Sequence, residues 1–207
     1  MHALEEPVCR DFPCQDTRRA SYLIPDIVLD PNRISILLIS EANPQDLTDH
    51  YYAGPNALFA RTTLLAFQEA GARVDSVQDL LALGVYLTTA VKCGKAGTGI
   101  STATIEHCSH LLEKEIALFP NVKVFLLMGD VAIQAVNRIA RRSGQPRVIP
   151  AGSTYKIRGG EFTFRGARAF PSYLQAGPSF FIEKSKRAMI AQDIAAALAL
   201  VQQSAVA

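Results

Sequence analysis

The chain has 207 residues, 49% hydrophobic and 19% charged, with a formal net charge of +2, enough for one full hydrophobic core and short for two, so a single domain over residues 1–207 is expected. No apolar run approaches the ~20 residues that cross a bilayer, and the acidic start MHALEEPVCRDFPC lacks the apolar stretch of a secretory signal, so no membrane association and no export are expected. Four cysteines without such a signal point to a reducing cytoplasm, where thiols serve metals or catalysis more often than disulfides.

The cysteine-bearing segment 1–30 is expected to pack on the domain. Ser35–Ser40 (SILLIS) is a short continuous apolar run, the pattern of a strand buried on both faces, and Val85–Val91 and Val122–Met128 read alike. Helical spacing follows each run. It covers Ala57–Ala70, then Ala103–Leu118, then Asp130–Arg142 with Asp130 as N-cap and Gly144 just past the end. Val148–Pro171 breaks the alternation, because TYKIRGGEFTF has β-rich arms around Gly159-Gly160, a hairpin signature. A last helix is expected from Phe181 to about Val201. Strands alternating with helices imply an α/β fold, three-layer α/β/α with a short, mainly parallel central sheet.

Charge is unevenly spread along the chain. From Val131 to Arg187 eleven basic residues face only Glu161 and Glu183, a net +9 that leaves −7 on the rest. Such asymmetry points to a basic face for a polyanion, the alternative being charges dispersed around a solvated surface.

Three strand ends carry candidate chemistry, because open parallel sheets gather their ligands beyond the carboxyl ends of strands. The first is Ser40-Glu41-Ala42-Asn43-Pro44, where Glu41 is either a working carboxylate or a loop acid capping a turn. The second is Thr88-Thr89-Ala90-Val91-Lys92-Cys93. The third is a long loop from Phe170 to Ser179, whose apolar tip reads as a wedge between a basic hairpin and a basic helix start.

These segments resemble the uracil-DNA glycosylase superfamily, and most closely its iron-sulfur branch. The family's Gly-Glu-Ala-Pro-Gly loop is matched by Ser40 to Pro44, with Glu41 and Ala42 identical. Its Asn-Val-Val-Lys-Cys strand end is matched by Thr89 to Cys93, and its His-Pro-Ser loop by Phe170-Pro171-Ser172. The resemblance implies a DNA-repair glycosylase that flips a base out of DNA and hydrolyses its glycosidic bond. Glu41 would orient the water and favour the oxocarbenium-like sugar. Ser40, Ala42 and Thr89 would line the base, with Phe59 the stacking ring and Tyr52 and Tyr51 its rivals, although any of the three rings also fits a core role. Pro171, Ser172, Tyr173 and Leu174 would contact DNA and supply the wedge, with Lys184, Lys186 and Arg187 on phosphates.

There are three departures from the family pattern. Thr89 stands where the family's Asn reads both edges of the base, and a hydroxyl cannot offer donor and acceptor in that geometry. Phe170 stands where a His donates to the base carbonyl, a donor whose loss costs about two to three orders of magnitude in rate. Asn43-Pro44 replaces Pro-Gly, and Asn43 restores an amide near the base if the loop turns it inward.

The cysteines fall as C-x4-C (Cys9, Cys14) and C-x14-C (Cys93, Cys108), close to the ligand layout of the iron-sulfur glycosylases. Four thiolates are the expected holders of a 4Fe-4S cluster. Zinc on the same thiolates is the alternative, though such sites favour short C-x2-C knuckles, and unligated structural cysteines are the plain reading. The expectation is a monomeric, monofunctional glycosylase acting on uracil or a related deaminated base. The runner-up is an iron-sulfur nucleic-acid-binding protein of the same fold without activity.

Overall fold

The computed structural model describes residues 8–206; residues 1–7 of the N-terminal segment lie outside the described residues. Its strands are β1 (Thr17–Arg18), β2 (Ile36–Asn43), β3 (Val85–Lys95), β4 (Val124–Met128), β5 (Phe162–Phe164) and β6 (Ala167–Ser172), laid in the order β1-β3-β2-β4-β6-β5. The inner four run parallel, and β1 and β5 add antiparallel edges. The helices are α1 (Leu58–Glu69), α2 (Val77–Ala82), α3 (Thr102–Ile116), α4 (Asp130–Arg142), α5 (Thr154–Ile157), α6 (Ser179–Ile182) and α7 (Lys184–Val206).

The continuous apolar runs are explained by a sheet covered on both faces. Along β2, Ile36 and Leu38 point into a core shared with α1, α2 and α7, while Leu37 and Ile39 point into the core under α3 and α4; all four are at most 1% exposed. This is the three-layer α/β/α architecture. The segment before β2 is tied to the β3 edge, where Leu23 N–H donates to Lys92 O at 2.9 Å and Ala96 N–H to Asp16 O at 2.8 Å.

Local expectations fail at four places. Gly159-Gly160 does not turn a hairpin: residues before it form the helical turn α5, and the hairpin joins β5 to β6 through Arg165-Gly166. Both of those residues have positive φ, +51° and +81°, as a two-residue type I′ connection requires. Asp130 is not the N-cap of α4; Gly129 is, at φ +102°. The loop expected from Phe170 begins three residues later, at Tyr173, because Phe170, Pro171 and Ser172 finish β6 alongside β4. Pro171 lies past the last β5 partner, Ala169, so β6 is paired on one side only there and the missing N–H is tolerated. The last helix is split at Glu183, whose φ −102° and ψ 79° separate α6 from α7.

Candidate active site

The chain runs from β2 outward to β3 and then back across to β4 on the other side, so the strand order reverses between β2 and β4. Ligands of open parallel sheets bind beyond the carboxyl ends of strands at such a reversal. Glu41 lies near the end of β2 and Gly129 directly follows β4, packed so closely that a side chain at position 129 would displace the Glu41 carboxylate. The Glu41 carboxylate accepts from Lys95 Nζ at 2.8 Å, with side chains 16% and 30% exposed. Helix α4 starts at Gly129 with no side-chain cap, which puts its positive end beside that carboxylate. A cavity of about 310 Å³ opens over Glu41, with Asp130, Ser172, Tyr173, Leu174 and Arg187 in its walls, at the small end of ligand-site volumes.

Of the residues named from sequence, Glu41, Ser172, Tyr173, Leu174, Lys186 and Arg187 line this cavity. Ser172 is fully buried, and its hydroxyl donates to Asp193 Oδ2 at 2.6 Å. Burial raises the Asp193 carboxyl above its ordinary range, an effect opposed by the Ser172 hydroxyl and Arg158. Lys186 pairs with Glu183 at 2.6 Å and lies over the Tyr173 ring at 5.4 Å. Arg187 pairs with Glu69 and stacks on Phe180 at 4.9 Å. Lys184 is exposed at the start of α7.

The other named residues point elsewhere. Asn43 does not turn inward to the cavity: its amide donates to Leu23 O at 2.9 Å and Lys92 O at 2.7 Å, and its Oδ1 accepts from Thr89 Oγ1 at 2.7 Å. Asn43 and Thr89 therefore tie β2, β3 and the N-terminal segment together. Ser40 shares a buried polar cluster with Tyr51 and Gln175, whose Nε2 donates to Ser40 Oγ at 3.1 Å and Tyr51 Oη at 3.0 Å. Ala42 is in the core under α3 and α4. Tyr52 seals the free edge of β3, its hydroxyl donating to Leu87 O at 3.1 Å and accepting from Leu87 N–H at 3.0 Å. Phe59 packs on Tyr51 with ring centroids 5.4 Å apart. Phe170 belongs to the core under α1 and α7, with Arg168 over its ring at 4.7 Å, and Pro171 is buried.

Sequence reasoning missed Gly129, Asp130 and Lys95. The first two had a visible signal, a Gly-Asp pair ending an apolar strand at the start of a helix; Lys95 had none, because its role follows from the end of β3 lying beside β2. The basic stretch also separates in space. Arg138 and Arg142 pair with Glu106, Arg142 and Arg165 pair with Glu113, and Arg158 pairs with Asp193. Lys186 and Arg187 are left on the cavity wall.

All four cysteines line a second, small cavity of about 50 Å³, together with Tyr22, Thr17, Arg19 and Lys92. Cys93 lies in the buried part of β3, and Cys108 is a buried residue of α3. Tyr22 Oη accepts from the Cys9 N–H at 2.9 Å, and Cys9 Sγ lies 3.6 Å from His107 Nε2. Burial pushes the Cys93 thiol up to about 11 and the Cys108 thiol up to about 12, although the Thr17 hydroxyl and the Lys92 backbone respectively oppose the shift. Among the described residues, no group of three or more His, Cys, Asp or Glu is drawn together tightly enough for one metal ion.

The Uracil DNA glycosylase superfamily profile matches residues 28–193. The chain belongs to this superfamily. A Type-5 uracil-DNA glycosylase of Thermus thermophilus is 32% identical over 84 residues, which cover 40% of this chain and 37% of that protein. The chain thus aligns with little more than a third of that relative's length. The superfamily match takes in Glu41, Cys93, Cys108 and the cavity wall up to Arg187, whereas Cys9 and Cys14 precede it. Neither Thr89 nor Phe170 lines the cavity over Glu41.

Proposed function

We propose that the protein is a monofunctional DNA glycosylase that hydrolytically removes uracil or a related deaminated base from DNA. The observation that carries this reading is the Glu41 carboxylate at the strand-order reversal, opening on a cavity in a chain of this superfamily. A base inside a duplex is out of reach, so it is flipped into the cavity. As the glycosidic bond lengthens, positive charge grows on the sugar, and Glu41 stabilises it while orienting a water toward the anomeric carbon. The water's proton passes to Glu41 as the new C–O bond forms, and the base departs with the bonding electron pair. Arg187, Lys186 and the positive end of α4 favour that departing negative charge. Lys95 holds the carboxylate in place as its ion-pair partner and does not attack the sugar, so borohydride is expected to trap no covalent adduct with DNA.

The four cysteines support a 4Fe-4S cluster as the resident cofactor. Their shared cavity fits four thiolate ligands of such a core, whose positive irons would offset the burial that raises the Cys93 and Cys108 thiols. The cluster would join the N-terminal segment, β3 and α3, a structural task.

The test is incubation of cluster-loaded protein with oligonucleotides carrying uracil, hypoxanthine or xanthine, followed by alkaline cleavage. Cleavage by the wild type and its loss in Glu41→Gln are expected. No cleavage of any substrate, with DNA binding intact, would establish the binding-only reading in its place.

A further inference from the structure

The wedge expected at Tyr173 and Leu174 is only half available. Both side chains are partly buried in the cavity wall, and the ammonium of Lys186 covers the Tyr173 ring. The apolar side chains that face solvent belong to residues next to the cavity lining in the chain. Ile182 is 77% exposed, Tyr155 72% and Phe181 44%. Tyr155 directly follows Thr154, and Phe181 and Ile182 lie between Phe180 and Glu183; Thr154, Phe180 and Glu183 all line the Glu41 cavity. The other strongly exposed apolar residues, Val8, Val28 and Leu83, are scattered singly and need no explanation.

Exposing an aromatic ring and an isoleucine on two neighbouring single-turn helices forfeits burial worth about 1.5–3 kcal/mol for each such side chain, and neither helix needs them outward to form. Lysines stand beside them, although Glu183, which follows Ile182 directly, is itself paired with Lys186. Lys156 follows Tyr155 and Lys184 follows Ile182 by two residues, and both lysines are exposed. Apolar tips beside cations form the surface that meets unstacked bases while the lysines meet phosphates.

We infer that Tyr155, Phe181 and Ile182 form the wedge of this protein, stacking on the bases of DNA that flank the flipped nucleotide and holding the opened gap. The inference rests on the glycosylase reading, since it takes the Glu41 cavity as the place a base enters. The occupant is DNA because each of the three tips adjoins in the chain a residue that lines that cavity, and exposed lysines stand beside them.

The test uses the full chain and duplexes carrying a stable abasic-site analogue, with 2-aminopurine beside the gap reporting stacking. Ile182→Ala with Tyr155→Ala is expected to weaken binding to the gapped duplex about 10- to 100-fold, as for the loss of one or two stacked bases. The 2-aminopurine signal of the wild-type complex should be lost, while the slope of log affinity against log salt stays unchanged, because no cation is removed. Wild-type affinity and signal in the double variant, or their loss only in Leu174→Ala, would overturn the assignment. A dimer in wild-type protein that the double variant disperses would assign the patch to a second copy of the chain. Failure of the wild type to bind any DNA at low salt would instead remove the glycosylase reading itself.

Discussion

A Cβ built on Gly129 would lie 2.6 Å from Oε1 and 2.8 Å from Cγ of Glu41. The glycine at the end of β4 therefore sets where the carboxylate at the end of β2 rests. Because that contact is with the reactive end of the side chain, Gly129→Ala is expected to displace the carboxylate. A shift of about 1 Å costs on the order of 100-fold in rate, so kcat/KM on uracil-containing DNA should drop by about that factor with DNA affinity little changed. An unchanged rate would mean that the position of Glu41 does not limit catalysis.

Lys92 and Glu115 form an ion pair with side chains 1% and 2% exposed. Thr88 and Tyr86 also donate to Glu115, at 2.9 and 2.8 Å, and Lys92 Nζ donates to Thr89 O at 2.6 Å. Removing one partner strands a charge between β3 and α3, the elements that carry Cys93 and Cys108. Lys92→Met is expected to cost about 3–5 kcal/mol in urea unfolding, and Lys92→Met with Glu115→Leu to recover part of it. A single substitution costing under about 1 kcal/mol would show that the pair is dispensable.

His50 is 1% exposed, with its ring between those of Tyr51 and Tyr52. Burial, with Lys92 adding to it, lowers its pKa from 6.5 to about 4. Below about pH 6.5 the unfolded chain binds a proton that the folded chain refuses until about pH 4. Stability from this group therefore decreases as pH falls across that window, by about 3 kcal/mol in all. Urea unfolding at pH 7 and pH 4.5 should show the loss in wild type and a smaller one in His50→Phe. Equal losses in the two proteins would remove His50 as the source.

Protein purified without air exposure is expected to be brown, with about four irons per chain and broad absorbance near roughly 400 nm. Cys93→Ala or Cys108→Ala should abolish the colour and lower the melting temperature, since metal-binding energy is folding energy. Colourless wild-type protein containing zinc would overturn the cluster assignment.

The residues of Ile36–Ile39, Val85–Val91 and Val124–Met128 determine strands by themselves, because a short run apolar on both alternating faces is stable only between two covering layers. Their alternation with helices and the strand-end position of Glu41 are local patterns readable in the chain, whereas the four cysteines meet at one cavity only because the N-terminal segment, β3 and α3 come together. The tertiary structure decided where side chains near the strand ends point. Asn43 ends β2 as read, whereas β3 runs on to Lys95 and leaves Thr89 in mid-strand; the pairing of the two strands brings their side-chain oxygens to 2.7 Å, and a buried amide pairs with the nearest donor and acceptor. Phe170 and Pro171 resemble a loop until β4 pairs with them. The choice of Arg165-Gly166 over Gly159-Gly160 as the turn follows from the register of β5 on β6. These outcomes depend on partners distant in the chain, and pairing energy between distant partners leaves no periodic mark on a sequence.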